Sequence, residues 1–211
     1  MSQKVPVSNN DKRRFPVRKL TMTAMLGAVA TVLMYLSFSV PLMPSFIKLD
    51  LSELPALIAS FALGPVCGVV VCLIKNLINL CFTTTGGVGE LSNFLLGATF
   101  AFIAGLIYKH HKNRTGALWG SVAGAAAMAL ISLPINYFIV YPAYVVLYGL
   151  PLEGIIGMYQ AILGTVAQIP TSNALFNCLL VFNIPFTLCK GLLDVALCFL
   201  IYKPLSPLLH K

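Results

Sequence analysis

Long runs without a charged side chain dominate this chain and decide what it can fold into. Residues 20–47, 54–74, 91–108, 115–152 and 154–189 contain no Asp, Glu, Lys or Arg. A helix needs about 20 mostly apolar residues to cross a bilayer, and several of these runs are at least that long. Across 211 residues, 58% are hydrophobic, only 9% are charged and mean hydropathy is +0.89, whereas soluble domains carry about 25% charged residues. The composition is that of an all-α integral membrane protein with no separate soluble domain, so any cytosolic chemistry must come from another polypeptide.

Punctuation within the runs predicts six transmembrane helices, over residues 16–38, 51–63, 65–82, 90–108, 117–141 and 174–202. The first opens on Pro16, the second is short for a span and needs shielding by its neighbours, and Gly64-Pro65 separates it from the third. Pro134 and Pro185 lie inside the last two helices, where proline kinks or breaks the ladder. Thr83 to Gly89 is glycine-rich and reads as a flexible loop. Residues 154–169 are apolar but are interrupted by Gln160 and Gln168 and bracketed by Pro151 and Pro170. The polar leader runs into the first apolar stretch without a small-residue cleavage site, so that helix is expected to persist.

Charge placement decides how residues 154–169 are read. Cytoplasmic flanks of membrane spans are enriched in Lys and Arg. Six helices gather Lys4, Lys12, Arg13, Arg14, Arg18, Lys19, Lys109, Lys112, Arg114, Lys203 and Lys211 on one side. Lys48, Asp50, Glu53, Glu90 and Glu153 fall on the other. A seventh span would separate Lys203 and Lys211 from the other cations. Residues 154–169 are therefore expected to form an external loop with a helical or re-entrant piece. Both termini are cytoplasmic in this reading: residues 1–15 form an N-terminal segment, 16–203 a single substrate-binding domain and 204–211 a tail.

The net charge of +8 comes from residues flanking apolar runs, not from a basic stripe interleaved with aromatics, which argues against nucleic acid. No G-x-x-x-x-G-K-[ST], H-E-x-x-H or G-x-S-x-G occurs, and His110, His111 and His210 lie outside the apolar spans. ATP hydrolysis, zinc proteolysis and serine hydrolysis therefore lose support, and no metal set is expected. Gly86-Gly87-Val88-Gly89 lacks the preceding strand of a dinucleotide fingerprint. The six cysteines include no C-x-x-C pair and read as small buried hydrophobes.

Charged residues within a span cost on the order of 2.5–3.5 kcal/mol each at the helix centre, so each calls for a partner or a wet cavity. Lys75 lies mid-helix near Asn76 and Asn79, and Lys190 lies mid-helix with Asp194 one turn on. Lys190 and Asp194 read either as a self-neutralising i, i+4 pair or as a ligand-facing lysine with Thr187 on its face. Asn136 reads as an interhelical hydrogen bond or a ligand group. Toward the external ends stand Phe46, Lys48, Asp50, Glu53, Glu90, Asn93, Tyr137 and Tyr141. Aromatic faces beside hydrogen-bonding groups suit a planar, polar-edged ligand.

The run from Phe46 through Lys48, Asp50 and Glu53 to Leu57, then Leu63-Gly64-Pro65, Ile74-Lys75-Asn76 and Thr85-Gly86-Gly87-Val88-Gly89-Glu90-Leu91-Ser92-Asn93-Phe94 resembles the substrate-binding S components of energy-coupling factor transporters. Among them it is most similar to the riboflavin-specific members. Pro185-Phe186-Thr187-Leu188-Cys189-Lys190-Gly191 is similar to their substrate-contacting helix, with Thr187 where the family commonly has Asn. The resemblance implies a six-helix binding and transport subunit that is not an enzyme. It needs no cofactor: riboflavin is its transported substrate, bound near the external face. A transmembrane T component and two ATP-binding subunits are the implied partners. It implies ligand-binding roles for Phe46, Lys48, Asp50, Glu53, Asn93, Asn136, Tyr137, Thr187 and Lys190. Ala24 and Ala28, in an A-x-x-x-A pattern, are implied to dock the T component. Alternative readings are an S component for another vitamin or nucleobase-like ligand, and an intramembrane enzyme using Lys190 with Asp194 or Glu90 with Glu53.

Overall fold

The computed structural model describes residues 17–40, 43–44, 47–83, 85–149, 151–163 and 173–209. The 1–15 segment, Phe46 and residues 164–169 therefore lie outside the described residues. In chain order the described elements are α1 (Val17–Tyr35), β1 (Phe38–Ser39), β2 (Lys48–Leu49), α2 (Glu53–Ala62), α3 (Pro65–Asn79) with a 3-10 turn Leu80–Phe82, α4 (Val88–His110) and α5 (Arg114–Ile135). A π-helical segment Asn136–Val140 leads into α6 (Tyr141–Tyr148), followed by α7 (Leu152–Leu163) and α8 (Ala174–Cys178). A second π segment, Leu179–Asn183, leads into α9 (Ile184–Leu209).

Five helical stretches are long and apolar enough to cross a membrane: Val17–Tyr35, Pro65–Phe82, Val88–His110, Arg114–Leu147 and Ala174–Ile201. Their outer faces carry exposed Val29, Leu77, Phe102, Leu130 and Val181, as bilayer contact requires. The sixth expected span, α2, is different. Its ten residues rise only about 15 Å, and Glu53 through Phe61 are all buried among α1, α3, α4 and α9. Its far end joins a cleft lined by Lys19, Leu63, Pro65, Tyr108 and Lys109, and its near end carries Asp50 and Glu53. The bundle thus has a basic pole and an opposite pole that holds Lys48, Asp50 and Glu90 around one cleft.

Local chemistry explains the ends. Gly64 takes φ +111 before Pro65 at the first turn of α3, a backbone open mainly to glycine followed by the residue best suited to start a helix. Asn113 caps α5 by accepting from the Gly116 amide at 2.6 Å. Small residues let α4 and α5 lie close: a Cβ on Gly120 or Gly124 would stand 2.8 Å from the carbonyl oxygen of Ala104 or Phe100. Leu57, Phe100, Ala125, Met128 and Val195 form the core beneath.

Four differences from the sequence reading stand out. The prolines at 134 and 185 accompany π segments, in which i→i+5 bonding re-registers the ladder. The last helix runs through Leu209, past the expected end near residue 202. The helical piece expected within 154–169 is α7, which starts at Leu152 and buries only Ile155 and Tyr159. The Thr83–Gly89 loop, read as flexible, is tied to Glu90: its carboxylate accepts from Asn79 Nδ2 at 2.8 Å, Thr83 Oγ1 at 2.8 Å and Thr85 Oγ1 at 2.9 Å.

Candidate functional site

A cavity opens at the Lys48 pole between α2, α4, the π segment after α5, α6 and the start of α9. The space it encloses, open mouth included, is about 750 Å3. Lys48, Glu53, Asn93, Asn136, Thr187 and Lys190 line it, so six of the expected ligand residues share one wall system. Ile47, Leu96, Met128, Val140, Tyr141, Tyr144 and Phe186 supply apolar and aromatic surface, and Ser92 and Asn183 add polar groups.

Beneath the cavity lies a four-charge cluster. Lys190 Nζ sits 3.0 Å from Asp50 Oδ2 and 3.1 Å from Glu53 Oε2. Lys75 Nζ sits 2.9 Å from Glu53 Oε1, donates to Ser52 Oγ and lies 3.5 Å from Asn93 Oδ1. Ser52 in turn donates its hydroxyl and its backbone N–H to Asp50 Oδ1. Glu53 thus gives one oxygen to each lysine, and two cations face two anions. Buried ions are tolerated when paired and hydrogen-bonded in this way. Burial alone would push the Asp50 carboxyl up, but Lys190, Lys75 and the two Ser52 hydrogen bonds together hold it well below the usual range.

This geometry removes the reading of Lys190 and Asp194 as a self-neutralising pair. It does not pair with Asp194, neither of whose buried carboxylate oxygens has a hydrogen-bond partner among the described residues. Lys190 points instead into the cavity wall, toward the chain that precedes α2. Lys75, expected beside Asn76 and Asn79, belongs to the same cluster, while Asn79 serves Glu90. Glu53 and Glu90 have separate partners and form no acid pair.

Asp50 stands behind the cavity, facing a second cleft with Asn79, Glu90 and Tyr35, and reaches the main cavity only through Lys190. Tyr137 is not in the lining; its ring packs edge-on against Phe138 and Phe176. Tyr141, whose N–H bonds the Asn136 carbonyl at the end of the π segment, is the tyrosine of the two that lines the cavity. Asn136 accepts from Ser92 Oγ at 3.3 Å. Asn183 was not anticipated, although it lies one helical turn before Thr187 and that spacing could have flagged it.

On α1, Thr23, Gly27, Ala30, Thr31 and Met34 are buried, whereas Ala24 and Ala28 are exposed on the outer face. A Cβ on Gly27 would stand 2.9 Å from Ile74, so the inward stripe is already used by α3. Among the described residues no cluster of His, Cys, Asp and Glu could hold a metal ion.

Residues 18–202 match the family model described as the ECF transporter, substrate-specific component. The chain is 31% identical over 194 residues to "Riboflavin transporter RibU" of Staphylococcus aureus (strain TCH60), covering 92% of this chain and 93% of that protein. It is 34% identical over 131 residues to "Riboflavin transporter FmnP" of Bacillus subtilis (strain 168), covering 61% and 69%. It is 32% identical over 202 residues to "Riboflavin transporter RibU" of Streptococcus thermophilus (strain ATCC BAA-250 / LMG 18311), covering 92% and 85%. A solved structure described as the S component of a bacterial ECF transporter superposes with a TM-score of 0.70 at 30% identity, covering 93% of this chain and all of that one.

Proposed function

Because the chain belongs to the substrate-specific components of the ECF transporters, we propose that it captures riboflavin at the outer face of the cytoplasmic membrane. It does so as the binding subunit of a transporter powered by other chains. The observation that carries this reading is the cavity itself. Tyr141, Tyr144 and Phe186 offer flat apolar surface, and Asn93, Asn136, Thr187 and Lys190 converge on it as hydrogen-bonding groups. The isoalloxazine ring has a large π-face and a pyrimidine-like edge with two carbonyls and an N–H, which needs donors and an acceptor around one plane. Lys190 donates, Asn136 and Thr187 can do both, and Glu53 and Lys48 stand at the same wall.

In this reading the Lys48 pole faces outward and the basic pole faces the cytoplasm, in line with the enrichment of Lys and Arg on cytoplasmic flanks. The short helix α2 completes the sixth crossing inside the bundle. Ala24 and Ala28 form the small-residue face on which a transmembrane T component docks, and two ATP-binding subunits supply the energy.

Riboflavin absorbs visible light and fluoresces, so the test is direct. Protein purified from cells without added ligand is expected to carry a yellow chromophore, and stripped protein to quench added riboflavin on titration. Colourless, folded protein that fails to quench riboflavin would overturn the assignment.

A further inference from the structure

Asn183 ends the second π segment, is 5% exposed and lines the cavity. Its carboxamide closes a ring of hydrogen bonds with two tyrosines. Tyr159 Oη lies 2.7 Å from Asn183 Oδ1, the hydroxyls of Tyr141 and Tyr159 are 2.6 Å apart, and Asn183 Nδ2 is 3.4 Å from Tyr141 Oη. An O–H···O contact is typically about 2.7–2.8 Å and an N–H···O contact about 2.9–3.0 Å, so the shorter distance puts the amide oxygen, not the nitrogen, on Tyr159. Tyr159 has one hydroxyl hydrogen and gives it to Asn183, so Tyr141 supplies the hydrogen between the two hydroxyls. Asn183 then donates to Tyr141. Each of the three groups donates once and accepts once.

The ring leaves something over. An amide nitrogen carries two hydrogens, and the ring uses one. The second N–H has no partner among the described residues and belongs to a side chain in the cavity wall. Tyr159, fully buried on α7, does not line the cavity, yet its hydroxyl sets which way the amide faces.

We propose that Asn183 donates a hydrogen bond from this second N–H to an oxygen of the bound flavin, and that Tyr159 is the positioning residue that holds the amide in that orientation. The inference rests on the reading of the cavity as a flavin pocket. It gives α7, an element outside the cavity, a defined part in ligand recognition.

Fluorescence titration with riboflavin of detergent-solubilised wild type, Asn183→Leu, Tyr159→Phe and the double variant tests it. Asn183→Leu is expected to weaken binding roughly tenfold, the loss of about one good hydrogen bond. Tyr159→Phe is expected to weaken it roughly threefold and to shift the absorption band of the bound flavin. The double variant is expected to bind within about twofold of Asn183→Leu, because Tyr159 acts through Asn183 and the losses do not add. Asn183→Leu protein that is folded and binds like wild type, or losses that multiply in the double variant, would overturn the proposal. Should Asn183→Leu fail to fold, Tyr159→Phe with wild-type affinity and an unchanged bound spectrum overturns it as well. Wild type that binds no riboflavin takes the flavin reading down and this inference with it, whereas wild-type binding with unaffected variants removes this inference alone.

Discussion

Lys190 Nζ on α9 lies 3.0 Å from Asp50 Oδ2, joining residues 140 positions apart in the chain. Asp50 directly follows β2, which pairs with β1 in the register Phe38 to Leu49 and Ser39 to Lys48. The lysine in the cavity wall is therefore also the anchor of the segment that precedes α2. Its two tasks can be separated by mutation.

Lys190→Met is expected to weaken riboflavin binding about ten- to a hundredfold, through loss of a donor to the ligand. It also leaves Asp50 and part of Glu53 without their cation, so the melting temperature should fall. Asp194→Asn should change affinity by less than about threefold, since Lys190 does not use Asp194 as a partner. Titration of both variants in detergent checks this. Equal losses in the two would mean that the lysine serves Asp194 and not the cavity.

Asp50→Asn addresses the anchor alone. The folded state holds the Asp50 carboxyl below its ordinary value of 3.8, so the unfolded state binds its proton first as pH falls. Its contribution to stability is fully present above pH 3.8 and is lost as pH drops further toward the folded value. The Asp50→Asn protein is thus expected to melt below wild type by a constant margin from pH 8 to pH 5, a loss of about 1–3 kcal/mol. That margin should shrink below pH 3.8. Thermal melts across this range would show it, and a margin that grows on acidification contradicts the pairing.

Exposed Glu153 at the start of α7 and exposed Lys112 between α4 and α5 test the orientation. With exposed Cys81 and Cys189 replaced by Ser, Glu153→Cys should react with an impermeant thiol reagent on intact cells. Lys112→Cys should react only after permeabilisation. Reversed labelling would turn the bundle over.

Replacing Ala24 and Ala28 with Leu adds bulk to an outward face that the bundle does not use. Uptake by the assembled transporter should fall at least about tenfold, while riboflavin affinity of the isolated subunit stays within about twofold, because small residues matter where helices approach closely. Loss of binding as well would place these alanines in the fold and not at a contact with another chain.

Much of this arrangement could be read from residue order. Charge-free runs mark the long helices, Gly64-Pro65 marks the turn into α3, and the cost of an intramembrane charge singles out Lys75 and Lys190. Their partners were not legible. Lys190 has an acid on its own helix at the right spacing, and nothing local says that Asp50 and Glu53, from the other end of the chain, win over Asp194. Tyr137 and Tyr141 both stand toward the external end, and residue order alone does not say that Tyr141 lines the cavity while Tyr137 packs on Phe138 and Phe176. Asn183 lies one helical turn before Thr187, a spacing that points to the wall, but the ring it closes with Tyr141 and Tyr159 of α7 is a tertiary outcome.

The burial of α2 bears on how the chain can be assembled at the ribosome. A ten-residue segment that opens on Glu53 is too short to cross the bilayer as an independent span, and with α3 it forms a hairpin closed at Gly64-Pro65 that is made before α9. At that stage Lys75, on the same hairpin, is the cation within reach of Glu53. Lys190 is synthesised more than a hundred residues later, and until it arrives Asp50 and the second oxygen of Glu53 have no lysine from α9. The pocket wall is therefore incomplete until α9 has been made, and a chain truncated before α9 would lack the cation that Asp50 and the second oxygen of Glu53 use.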